Sequence, residues 1–334
     1  MTPEKVALGR YLFYDTRLSA NSTTSCASCH QQIHAFSDGR AQAVGSTGML
    51  HRRSAMSLTN VAYNAAFTWA DSDVRRLEEQ VRLPMYGTAP IELGVAGHET
   101  EILARLRADA RYVPMFQAAF PREQDAFTMP NVERCLASFV RTLISANSPY
   151  DRWVRGDATA LSPAAQRGHA QFFGERFNCY QCHTGFNLSG PFVDRTVVDE
   201  PAFHNTGLYN VDGLGSYPAS DQGLFERTGR SEDMGRFRAP TLRNIALTAP
   251  YMHDGSVATL EGVLAHYAAG GRTITTGPNA GAGSTSPHRD PGIRGFVPRN
   301  GEVDDLLAFL HSLTDWDFVA DPRIADPFLV TPDH

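Results

Sequence analysis

Cys26-Ala27-Ser28-Cys29-His30 and Cys179-Tyr180-Gln181-Cys182-His183 place the same pattern, C-x-x-C-H, once in each half of a 334-residue chain. Two thiols separated by two residues can reach one edge of a porphyrin and close thioethers to it. The histidine that follows then meets the iron from below. Four of the five cysteines are consumed in this way. Two other chemistries use C-x-x-C pairs. A four-cysteine zinc site usually sets its pairs about 15–20 residues apart and needs no histidine after each. A redox disulfide of the thioredoxin kind needs no histidine there either. The spacing therefore predicts two covalently bound c-type haems.

Each motif histidine supplies one axial ligand, and the opposite face of each iron decides reactivity. Two strong protein ligands make an electron carrier, whereas an open face binds peroxide or oxygen. His34, His51, His169, His204, His253 and His266, with Met85, Met234 and Met252, are all chemically competent sixth ligands, and spacing leaves the choice open. The remaining thiol, Cys135, falls on a helical apolar stripe with Val132, Leu136, Phe139, Val140, Leu143 and Ile144, which predicts a buried, inert residue.

The elements that must position these groups are mainly helical. Apolar periodicity predicts helices over Asp73–Leu83, Glu99–Asp109, Asn131–Ser145, Pro163–Phe173, Val257–Ala268 and Glu302–Leu313. Ser162-Pro163 is a start signal, Asn300 is the expected cap of the last helix, and Gly270-Gly271 ends the one before it. Residues 271–295, dense in Gly, Pro, Ser and Thr, read as a long irregular loop. A boundary near Gly156–Ser162 gives two cytochrome c-like haem domains joined by long loops, 1–158 and 159–334. A hydrophobic content of 42% supports sizeable cores, and a net charge of −6 offers no footprint for nucleic acid. No apolar run is long enough to span a bilayer. Because c-type haem is attached outside the cytoplasm, a start without a leader is expected to be a mature periplasmic form.

Over nearly its whole length the chain resembles the bacterial di-haem cytochrome c peroxidase and MauG superfamily. The matching blocks are the first haem motif with His34-Ala-Phe-Ser-Asp-Gly39, Leu77-Glu-Glu-Gln80, Ser148-Pro-Tyr-Asp-Arg152 and Leu161-Ser-Pro-Ala-Ala165. They continue with Ala239-Pro-Thr-Leu-Arg-Asn244 and Ala249-Pro-Tyr-Met-His-Asp-Gly-Ser256. Within the superfamily, Leu83-Pro-Met-Tyr-Gly-Thr-Ala-Pro-Ile-Glu-Leu-Gly94 is most similar to MbnH, the MauG-like group associated with methanobactin operons.

The resemblance implies different roles for the two haems. On the second, Tyr267 stands where the peroxidases carry a methionine ligand. A His183/Tyr267 iron, held by a hard anionic donor, would share a high-valent state; on periodicity alone Tyr267 is an ordinary core residue beside Val257, Leu260, Val263 and Leu264. On the first, the His30 iron is expected to be open. Gln80, Pro84 and Glu92 take the family's distal positions, Pro84 crowding the iron without binding it and Glu92 moving a proton between the peroxide oxygens. Glu92 follows Pro84 by eight positions, more than is usual. His51 stands near the removable distal histidine of classical peroxidases. Trp69 matches the tryptophan that relays charge between the haems, while Trp153 and Trp316 read as core fillers. Calcium is expected on the Thr248 and Pro250 carbonyls, with Ser54 in place of the family's asparagine.

The implied activity is that of a di-haem peroxidase-like oxidoreductase. It takes oxidising equivalents from hydrogen peroxide and oxidises a partner protein at tryptophan by long-range transfer. For an MbnH-like protein that partner is the small companion MbnP. The alternative is a cytochrome c peroxidase drawing electrons from a small cytochrome or copper protein; a di-haem electron carrier would need both irons six-coordinate.

Overall fold

The structure is a computed structural model that describes residues 1–329. It is mainly α and gathers into two compact units, each carrying one C-x-x-C-H motif. Their membership is not a single cut at Gly156–Ser162. Residues 1–62 and 74–144, with the described residues from Asp317 onward, form the first unit; 63–73 and 145–316 form the second. Hydrogen bonds account for both crossings. The Arg10 side chain donates to the Ala325 and Pro322 carbonyls, Tyr14 Oη to Ile324 O and Gln32 to Phe318 O, tying the C-terminal segment to the first unit. In the second, Arg238 N donates to Trp69 O and Asn187 to Asn64 Oδ1, which claims the 63–73 segment.

The first unit contains α1 (Pro3–Tyr14), the haem-motif turn α2 (Cys26–Cys29), α3 (Leu77–Tyr86), α4 (Glu99–Arg107), α5 (Tyr112–Ala119) and α6 (Met129–Val140). Helix α1 starts as capping chemistry demands: Thr2 accepts from Lys5 N and Pro3 fills the first turn. It packs across α6 at Gly9, where a Cβ would overlap the Cys135 carbonyl oxygen and come within 2.9 Å of Phe139 Cβ. Cys135 is fully buried, as its stripe predicts. Helix α6 ends at Val140, short of Ser145, and α3 runs from Leu77 through Pro84 to Tyr86 where a stop at Leu83 was expected. Proline inside a helix removes one hydrogen bond but does not end it when the next turn closes; here Gly87 N still donates to Leu83 O. Bidentate Arg141–Glu78 bonds of 2.7–2.8 Å and an Arg82–Glu133 bond of 2.9 Å fasten α3 to α6.

The second unit contains α7 (Pro149–Val154), α8 (Pro163–Phe172), α9 (Phe225–Thr228), α10 (Leu260–Ala268) and α11 (Glu302–His311). Its core joins Phe172, Leu260, Leu264, Leu306, Phe309 and Leu313. Helix α8 crosses α11 at Gly168, where a Cβ would overlap the Asp305 carbonyl oxygen and again approach a phenylalanine, Phe309, to 2.9 Å. The two units thus repeat one helix crossing around one kind of glycine. Gly168→Ala is expected to lower the unfolding free energy of the haem-loaded protein by about 1–3 kcal/mol, the usual cost of overpacking, read by denaturant titration.

Thr259 caps α10 by accepting from Gly262 N. Asn300 does not cap α11: Gly301, at φ 82°, holds that position in the left-handed region. Residues 271–295 contain a small antiparallel pairing of Thr273–Ile274 with Gly281–Ala282 in otherwise irregular chain. Trp153 is half-buried, its ring 4.9 Å from that of His169. Trp316, expected inside, is 63% exposed because it opens a one-turn helix at the surface. Among the described residues no helix is long and apolar enough to cross a membrane.

Candidate active site

Both haem motifs are built by the same device. In the first, α2 turns tightly enough for His30 N to donate to Cys26 O at 3.0 Å, which brings both sulfurs and the imidazole to one side. His30 Nδ1 lies 2.8 Å from the carbonyl of Phe36, a buried residue held at φ 60°. In the second, His183 N donates to Cys179 O at 3.0 Å, and His183 Nδ1 lies 3.0 Å from the carbonyl of Leu188, buried at φ 48°. A carbonyl partner fixes the proton on Nδ1 and leaves Nε2 with its lone pair for a metal. Left-handed non-glycine residues are costly and persist only where their surroundings demand them. Here they aim the carbonyl that orients each ligand.

Burial keeps both imidazoles neutral, lowering His30 and lowering His183 to about 4. It also pushes the Cys26 and Cys179 thiols up to about 12 and Cys29 up to about 11. A redox dithiol needs the opposite shift. Zinc fares no better: the two cysteine pairs lie in separate units, and among the described residues no group of three or more His, Cys, Asp or Glu side chains is placed to hold a metal. The donor set and its surroundings fit haem.

In the second unit the motif opens into an apolar cavity lined by Cys179, Cys182, His183, Trp69, Leu264 and Tyr267. Four of the sequence-level ligand candidates, His204, Met252, His253 and Tyr267, share it. Burial alone would lower His204, but its 2.7 Å bond to Asp290, with the Cys182 sulfur nearby, raises it to about 9. His253 is stacked on Phe237 at 3.7 Å and 12°. His266 Nε2 donates to the Thr206 carbonyl at 2.9 Å, and Met85 and Met234 are packed into cores. Tyr267 and Met252 are the other two candidates at the cavity wall. Burial, then the sulfurs of Cys182 and Cys179, pushes the Tyr267 phenol well above its ordinary range, so only a cation in the cavity would ionise it. The wall also contains Arg238, a buried guanidinium that burial lowers to about 10, bonded to the Thr68 and Ala239 carbonyls. It would supply positive charge to the anionic edge of a macrocycle bound in this cavity. Sequence reasoning passed over Arg238 and the His204–Asp290 pair. Only the position of Arg238, directly before the Ala239-Pro-Thr-Leu-Arg-Asn244 block, hinted at it.

In the first unit Gln80 and Pro84 lie one turn apart on one face of α3. The eight-residue interval from Pro84 to Glu92 is closed by a fold-back: Leu93 N donates to Pro84 O at 3.0 Å and Val95 N to Met85 O at 2.8 Å. Glu92 is thereby returned beside the proline despite the long spacing. Its side chain remains one-third exposed, yet burial raises its carboxyl to about 7. His51 Nε2 lies 3.6 Å from Glu92 Oε1. Thr248 and Pro250 lie in the second unit and Ser54 in the first.

Comparison with known proteins agrees with this chemistry. Residues 3–159 match the family model of di-haem cytochrome c peroxidases. The methylamine utilization protein MauG of Methylorubrum extorquens (strain AM1) is 35% identical over 313 residues, covering 94% of this chain and 79% of that protein. The chain belongs to the di-haem cytochrome c peroxidase and MauG family. The cytochrome-c peroxidase IdrP1 of Denitromonas iodatirespirans is 33% identical over 344 residues, covering 98% of this chain and 84% of its own. A solved MauG-like protein associated with microbial copper homeostasis superposes with a TM-score of 0.96 at 48% identity, covering 98% of this chain and 94% of that one. The chain is thus a peroxidase-like oxidoreductase whose cofactors are two c-type haems. Mass spectrometry of the denatured protein should find two haems attached, and Cys179→Ser with Cys182→Ser should leave one.

Proposed function

We propose that this protein is a periplasmic oxidase of the MauG and MbnH kind, which uses hydrogen peroxide to oxidise a partner protein by long-range electron transfer. The observation that carries the reading is Tyr267, a half-buried residue lining the same apolar cavity as His183, Cys179 and Cys182. When bound, the two haems accept oxidising equivalents from peroxide and hold them until the partner is oxidised. The residues divide the remaining work. Pro84 and Gln80 shape the distal side of the His30 site, and Glu92 accepts and returns the peroxide proton. Tyr267 supplies an anionic oxygen at the second site, and the indole of Trp69 relays charge to it. The likeness to a MauG-like protein of copper homeostasis supports an MbnH-like protein with an MbnP-like partner oxidised at tryptophan. Calcium on Thr248, Pro250 and Ser54 belongs to the same reading, and stripping it with a chelator should slow the peroxide reaction reversibly.

Peroxide added to the protein with an MbnP-like partner should leave the partner oxidised, its mass changed at a tryptophan. Slow partner oxidation beside rapid consumption of reduced cytochrome c would instead favour a cytochrome c peroxidase. That second reading has its own support, since Met252 lines the same cavity and relatives such as IdrP1 are cytochrome-c peroxidases.

A further inference from the structure

The distal acid has a neighbour that neither the spacing nor the family comparison assigns to it. We propose that His51 is a positioning residue for Glu92, donating from Nε2 to one carboxylate oxygen, and is not a ligand of the His30 iron. The inference rests on the peroxide step of the function proposed above and not on the identity of the reductant.

The chain delivers His51 to this place. Val44 and Leu50 pair as an antiparallel bridge, and His51 N donates to Ala43 O at 2.7 Å, so residues 43–51 form a tight loop. Ser46 N donates to Glu92 O at 2.8 Å, which docks the loop on the segment that carries the acid. Gly45 is required at the contact, since a Cβ would overlap the Ile91 carbonyl. The side chains then meet at 3.6 Å, His51 29% and Glu92 33% exposed. At 3.6 Å the two are in ion-pair range and just beyond hydrogen-bond distance, a gap that closes directly or through one water once the site is filled.

The tautomer decides between the two roles. Arg53 N donates to His51 Nδ1 at 3.2 Å. A neutral ring that accepts at Nδ1 carries its proton on Nε2, the nitrogen facing Glu92. Such a nitrogen donates to a carboxylate and has no lone pair for iron. Glu92 in turn raises the Cys26 and Cys29 thiols, an interaction that ends when both are spent as thioethers in the loaded protein. Arg52 and Arg53 lie on the His51 segment, and Asp38 and Arg40 act on Cys29.

A bond from His51 stabilises the ionised carboxylate and holds one oxygen still while the other faces the reactant. Glu92 takes a proton from one peroxide oxygen and returns it to the other, which departs as water. Over the whole reaction the O–O bond is broken, and two electrons from the oxidised protein and two protons from solvent make two waters.

The test compares His51→Ala and His51→Gln with the wild-type haem-loaded protein by ferric spectra and by the rate with hydrogen peroxide across pH. The amide of glutamine can still donate, whereas alanine cannot. The account expects the same ferric spin states in all three. His51→Ala should react roughly tenfold more slowly at neutral pH, with the midpoint of its pH profile displaced upward because the carboxylate has lost a donor. His51→Gln should recover much of both. Conversion of a low-spin to a high-spin ferric signal in His51→Ala would make His51 a ligand and overturn the proposal. An unmoved midpoint, or a glutamine variant as impaired as alanine, would overturn it as well. If peroxide reacts as expected but no partner protein is oxidised, the proposed function falls and this inference stands. A wild-type protein inert to peroxide would sink both.

Discussion

Tyr267→Phe is expected to abolish the long-lived spectral change that peroxide produces in the ferric protein, and partner oxidation with it. The substitution removes one oxygen and leaves the ring, so the cavity around His183 keeps its shape. What disappears is the hard anionic donor that stabilises oxidised iron. The cavity itself does not favour the phenolate, since burial holds the phenol protonated, and in the proposed function its ionisation depends on the charge of the iron it would bind. Tyr267→Met should not restore the species, because a thioether raises the potential and disfavours the oxidised state. Met252→Leu should leave it intact. Absorbance after a stoichiometric addition of peroxide and the mass of the partner protein read both effects. A persistent species in Tyr267→Phe that vanishes in Met252→Leu would exchange the two assignments.

Glu92→Gln should slow the reaction with peroxide by about 10²–10⁴-fold, the usual contribution of a positioned acid–base group. Glutamine matches the side chain in size and forfeits only the ability to take a proton. The ferric spectrum should not change, because Glu92 does not bind iron in this account. The pH dependence follows from burial, which raises the carboxyl to about 7. Below that value the group is protonated and cannot accept from peroxide; above it the carboxylate is available. Wild-type rates should therefore climb as pH rises through about 7 and level off, while Glu92→Gln should lose that rise. Stopped-flow kinetics from pH 5 to 9, roughly the range over which such a group titrates, gives both results.

Much of the chemistry was legible in the sequence because it is local. The two C-x-x-C-H motifs close their own turns, and the starts at Thr259 and Ser162 follow from capping chemistry. Helix α1 carries the same signals at Thr2-Pro3, yet its apolar residues form no sustained stripe to announce it. The site was harder where it depends on pairing at a distance. The fold-back that returns Glu92 to Pro84 is made by backbone bonds from Leu93 and Val95, which no side-chain pattern records. The meeting of His51 with Glu92 depends on a docked loop, and Arg238 is distinguished from the other arginines only by where burial puts it. The exchange of residues 63–73 and the C-terminal segment between units likewise rests on long-range bonds to backbone carbonyls.

In the proposed function two alike motifs serve unlike haems, an open one at His30 that reacts and one at His183 and Tyr267 that holds charge. Electron paramagnetic resonance of the resting ferric protein, before and after one equivalent of peroxide, tests it most directly. The account predicts one high-spin and one low-spin signal at rest, both lost together on adding peroxide, and their return when the partner is oxidised. Two low-spin signals that peroxide leaves unchanged would contradict it and make the protein an electron carrier.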